Sequence, residues 1–147
     1  MDSAFNTVGF EMTNSPSSCT TIKPPAATSA SPQGISDRGA IVGSTYVRWK
    51  AANFNFLFAN SKYGVISLPN APGAQVFGIN PQGTAVVGTY DALSGLTGFI
   101  YQNRVLQSLS FPGSITTEVY GMNALGQVVG YFLDSSLQTH GFLWTPW

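Results

Sequence analysis

Charge is what this 147-residue chain has least of: 8% of its residues are Asp, Glu, Lys or Arg, against roughly 25% in soluble domains. Its six acidic and six basic residues cancel and lie scattered. With no basic stripe to neutralise phosphates, nucleic acid is excluded as a partner, and so is a polybasic grip on an anionic membrane. One cysteine, Cys19, leaves no internal disulfide and no cysteine-based zinc site. Cys19 reads as a small strand residue, with intermolecular pairing as the alternative. No apolar run approaches the roughly 20 residues of a membrane-spanning helix. The start, Met1-Asp2-Ser3-Ala4, carries neither the charged nor the apolar region of a signal peptide. If the protein is secreted, a mature or trimmed form is expected. Helical periodicity is also missing.

What is present is 44% hydrophobic and 13% aromatic residues, enough for a real core in a single domain over 1–147. The surface must then be finished with Ser, Thr, Asn, Gln and Gly, a habit of extracellular and cell-surface β-proteins, and that location is expected here.

The chain repeats itself. Gly34-Ile35-Ser36-Asp37-Arg38-Gly39-Ala40-Ile41-Val42-Gly43 returns from Gly78 to Gly88 and again from Gly121 to Gly130. The leading glycines are 44 and 43 residues apart, a period that marks stacked units, none able to bury its apolar face alone. A second marker runs in phase: Gly9-Phe10, Gly98-Phe99 and Gly141-Phe142, with Asn55-Phe56 as a degenerate copy. Asp2, Asp91 and Asp134 each stand seven residues before the glycine of a copy, and Arg48 holds that place in the odd one. Pro25-Ala26, Pro72-Gly73 and Pro112-Gly113 end strands. In the cleanest copy, Asn123 is suited to open a turn and Gly126 to adopt positive φ. The extra residue between Gly83 and Gly88 is most simply absorbed as a β-bulge.

Short strands bounded by turn residues predict an all-β fold of about three four-stranded antiparallel repeats, approximately 2–47, 48–90 and 91–133. A partial repeat, 134–147, adds a surplus terminal strand. Four strands in about 43 residues is the size of a β-propeller blade. The unit resembles the HAF family of probable extracellular repeats. Gly121 to Tyr131, Asp134-Ser135-Ser136 and His140-Gly141-Phe142-Leu143-Trp144 carry the likeness, with Gly78 to Tyr90 and Gly98 to Tyr101 as a second match. The resemblance implies extracellular, repeat-built β-structure and carries over no activity or site residues.

Three blades cannot close a propeller, whose usual range is four to eight. Two chains completing a six-bladed ring, a fragment of a longer array, and an open head-to-tail filament all remain open. Self-association is the expected outcome, so the expected partner is another copy of the chain.

Chemistry finds little material. His140 is the sole histidine. With Asp134 and Ser135 or Ser136 it sits in one loop that lacks a nucleophile elbow, so the expected protein is not an enzyme. No cofactor or metal is expected; Asp91 and Asp134 read as turn caps rather than calcium ligands. The most specific alternative is glycan binding. It would use the aromatic faces of Trp49, Tyr101 and Trp144 with Asp91, Asn103, Asp134 and His140 as polar groups, in a shallow site repeated per blade. Packing inside the core is the plainer role for Tyr101 and Trp144.

Overall fold

The computed structural model of the chain describes residues 7–12, 19–50 and 52–146; of Trp49 the backbone alone is described. The described residues form four small antiparallel sheets, each built from consecutive strands. The first pairs β1 (Gly9–Met12) with β2 (Cys19–Ile22). The second runs β3 (Ser29–Ile35), β4 (Ile41–Val47), β5 (Ala52–Ala59) and β6 (Lys62–Ile66), with a 3₁₀ turn at Arg48–Lys50. The third runs β7 (Gln75–Ile79), β8 (Ala85–Ala92), β9 (Gly95–Gln102) and β10 (Val105–Leu109). The fourth holds β11 (Thr116–Met122), β12 (Val128–Leu133) and β13 (Thr139–Trp144).

Two sheets therefore have four strands, where three were expected. The strand expected to be surplus, Gly141 to Trp144, is the third strand of the fourth sheet, paired with β12 from Val128↔Trp144 to Leu133↔Thr139. The second, third and fourth sheets also begin at the Gly34-type strand, so the frame opened at Arg48, Asp91 and Asp134 runs between second and third strands. Asp2 itself lies outside the described residues.

Sheets stack through alternating side chains. In the third sheet, Val86 and Phe99 enter a cluster with Val42, Val76 and Ile79 on the second-sheet side. Their neighbours Val87 and Ile100 turn the other way, to Val119 and Val128 of the fourth sheet. Ile22 of the first sheet packs with Ala30, Ile41 and Phe56 of the second. Phe56 and Phe99 are 2% and 0% exposed; full burial of such a side chain stabilises by about 1.5–3 kcal/mol. The four described sheets form an open series and do not close into a ring.

The repeated glycines mark two kinds of close approach. On the inner strands, a Cβ on Gly34 would lie 3.0 Å from the Cα of Gly78, and one on Gly78 would lie 2.7 Å from the carbonyl oxygen of Tyr120. Backbone thus meets backbone between successive sheets. On the second strands, Gly43, Gly88 and Gly130 face the carbonyl oxygens of Ser31, Gln75 and Glu118, with no room for a Cβ. Each faces a β-bulge, since register shifts between Pro32 and Gly34, Val76 and Gly78, and Val119 and Gly121. The bulge belongs to all three copies. The extra residue of the middle copy sits instead in the turn: Asn80 N–H donates to Ala85, whereas Ser36 donates to Ala40 and Asn123 to Gln127. A hairpin turn takes an added residue without disturbing the ladder.

The turn chemistry is as the sequence expects. Gly39, Gly83 and Gly126 have φ of 74°, 75° and 77°. Asn123 Oδ1 accepts from the N–H groups of Leu125 and Gln127, and Asn80 Oδ1 from those of Thr84 and Ala85. The Pro-Gly steps are turns between sheets, closed by Ala74 N–H on Ala71 and Ser114 N–H on Phe111. Ala26 fills the position of Gly73 and Gly113 at φ 64°. Asn55, the odd member of the Gly-Phe series, uses its side chain as a staple. Its amide donates to Ala74 O at 2.8 Å and accepts from Val76 N–H at 3.0 Å, tying β5 to β7.

Candidate functional site

The β12–β13 hairpin holds the chain's one acid–imidazole pair among the described residues. Asp134 Oδ1 accepts from the N–H groups of Ser136 (2.8 Å) and Gln138 (3.0 Å), while Oδ2 meets His140 Nε2 at 2.7 Å. The Gln138 N–H, then the imidazole, then the Ser136 N–H hold the Asp134 carboxyl below the usual carboxylate range. The His140 ring stacks on Phe132 at 5.0 Å, and Phe132 stacks on Phe111 at 3.8 Å. The Asp134 carboxylate thus caps the turn through its backbone partners and orients the His140 ring.

Asp91 ends β8 beside the preceding inter-sheet turn. Its N–H donates to Pro72 O at 2.9 Å, and its carboxylate lies over the face of Gly73 where a Cβ would point. Asp91 pairs with Leu96 at the start of β9, whereas Tyr101 and Asn103 stand at that strand's far end. The seven steps from Leu96 to Asn103 span about 23 Å. Trp144 likewise closes β13 at the end away from Asp134. The described glycan candidates thus divide: Asp91, Asp134 and His140 at one end of their sheets, Tyr101, Asn103 and Trp144 at the other. Tyr101 packs against the core cluster between the second and third sheets, and Trp144 against that between the third and fourth. Asn103 serves the β9–β10 hairpin at φ 53°. The Trp49 side chain lies outside the described residues; beside it, Lys50 Nζ sits 5.4 Å from the centre of the Phe54 ring. Among the described residues no three of His, Cys, Asp and Glu gather closely enough to hold a metal.

Two features stand outside the sequence reading. The first is an aromatic column that starts on the inner strands β7 and β11 and ends on β12. The bulge residues Phe77 and Tyr120 stack at 4.9 Å, Tyr120 stacks on Tyr131 at 5.8 Å, and both tyrosine hydroxyls donate to the Glu118 carboxylate at 2.7 Å. Partial burial and the Glu118 bond push the Tyr120 phenol well up; for Tyr131 the Glu118 bond leads. Its sequence signal is the residue just before Gly78 and Gly121.

The second feature is a groove of about 470 Å³ beside β13, lined by Leu109, Phe111, Thr117, Phe142, Leu143 and Trp144 among others. It occupies the place where β10 lies in the third sheet and β6 in the second. The outward face of the fourth sheet is open as well. Val129 and Leu143 are 50% and 63% exposed, although their counterparts Val87 and Ile100 are 0% and 8% exposed. A Cβ on Gly98 would lie 2.5 Å from Val119 Cγ2, whereas one on Gly141 meets nothing nearer than Gly130 O at 4.0 Å. The positions that receive a following sheet are thus all present on the fourth, uncovered.

No family model, curated protein or solved structure matches this chain.

Proposed function

We propose that the chain is a non-enzymatic structural or adhesive module of propeller-like blades, working outside the cell or at its surface by associating with further copies of itself. The observation that carries this reading is the uncovered fourth-sheet face, apolar at the positions that hold the third sheet to the fourth. Water contact there forfeits about 1.5–3 kcal/mol for each large side chain that a neighbour would bury. The low charge leaves little to repel a second copy or guard the β13 edge. The likeness to HAF repeats supports an extracellular setting and a repeat-built β-structure.

Size-exclusion chromatography with light scattering tests the proposal. The expected result is a mass that rises with concentration in multiples of one chain. A monomer throughout the micromolar range overturns it.

A further inference from the structure

We infer that the groove beside β13 is filled by β2 of a second copy, which leaves its own β1 and completes the fourth sheet as its fourth strand. This rests on the self-association reading and gives it an address and a register.

The exchange trades like for like. In the isolated chain β2 pairs with β1, with Ile22 opposite Gly9, Thr21 opposite Phe10, Thr20 opposite Glu11 and Cys19 opposite Met12. β13 carries the same Gly-Phe motif in the same phase. β10 pairs with β9 in the matching way, Leu109 opposite Gly98 and Ser108 opposite Phe99. Transferred to β13, this register sets Ile22 of the second copy opposite Gly141, Thr21 opposite Phe142, Thr20 opposite Leu143 and Cys19 opposite Trp144. Four pairs are lost and four gained, so ladder hydrogen bonds are conserved, as in domain swapping. The added burial is the groove and the face behind it. Because Ile22 packs on Ala30, Ile41 and Phe56, β2 brings its own second sheet along. That sheet then covers Val129 and Leu143 as the fourth covers Val87 and Ile100. The chain's own β2 cannot do this, since the second and third sheets stand between it and β13.

Gly9 makes the match testable. It lies so close to the Pro32 ring that it has no room for a Cβ, and in the exchanged pair Gly141 takes that place against Pro32 of the second copy. In the isolated chain Gly141 has open space. Gly141→Val should therefore leave the melting temperature of the dilute chain within a few degrees of the original and weaken association at least tenfold by light scattering. As a second readout, Trp144→Cys under mild oxidation should give covalent oligomers on a non-reducing gel. These should be absent from the unsubstituted chain and from Trp144→Cys combined with Cys19→Ser.

If the chain assembles but Gly141→Val assembles equally well and Trp144→Cys forms no covalent link to Cys19, the strand exchange is overturned while self-association stands. If the unsubstituted chain stays monomeric, both fall.

Discussion

Gly88 lies under the carbonyl oxygen of Gln75, and any Cβ there would strike backbone that the bulge holds in place. Gly88→Ala should cost about 3 kcal/mol, the upper range for forcing atoms into packed space, and lower the melting temperature by about 10 °C. Gly64, on β6, has open space where its Cβ would go, and Gly64→Ala should change stability by no more than about 0.5 kcal/mol. Thermal melts of the two variants separate a glycine required by close approach from one that merely occupies a strand. Asp134 offers a residue-scale test by pH. Its folded-state affinity for protons is lowered, so its contribution is fully present above the ordinary carboxylate pKa of about 4 and is lost as pH falls through the depressed folded value. Asp134→Asn keeps an oxygen for the Ser136 and Gln138 N–H groups but loses the charge facing His140. The difference in melting temperature between the two proteins should close as pH is lowered through that window.

Turns can be compared element by element because the three copies differ by one residue. The Asn80 turn contains Thr84 where the Asn123 turn contains nothing, and in both the asparagine side chain accepts from the N–H group that closes the turn, Ala85 at the start of β8 and Gln127 just before β12. Deleting Thr84 should leave Asn80 facing Ala85 as Asn123 faces Gln127, at a cost within about 1 kcal/mol by denaturant unfolding. This is also where the sequence is most and least informative. Turn residues act locally, so Asn123 and Gly126 disclose their roles without a structure, whereas Pro72-Gly73, expected to end a strand, lies in the inter-sheet turn six residues after β6 ends at Ile66. A periodic sequence yields its period but not its phase, so the Gly-Phe and Gly-Ile-Asn markers do not tell which opens a sheet. Nor does counting residues between Gly83 and Gly88 distinguish a longer turn from a bulge. The split of the glycan candidates is a matter of strand direction: Asp91 and Asn103 are near in sequence, but β9 carries the chain away from one before it reaches the other.

Across the whole molecule, apolar burial outweighs charge. The fourth-sheet face offers Val129, Leu143 and the rim of a groove lined by Phe142 and Trp144, with the His140–Asp134 hydrogen bond in the β12–β13 hairpin as its polar neighbour. Association driven by such a face should hardly change between low and moderate salt in the light-scattering experiment, because few charges are available to be screened. A steep loss of mass with added salt would point to an electrostatic interface elsewhere on the chain.

The spacing between successive sheets is set where Gly34 meets Gly78 and Gly78 meets the Tyr120 carbonyl, main chain against main chain. A junction of that kind demands glycine at its contact points and little of the side chains around them. Duplicating or removing one entire unit would therefore preserve every joint that remains, and descendants of such a gene could change length in whole modules while their cores drift freely in sequence.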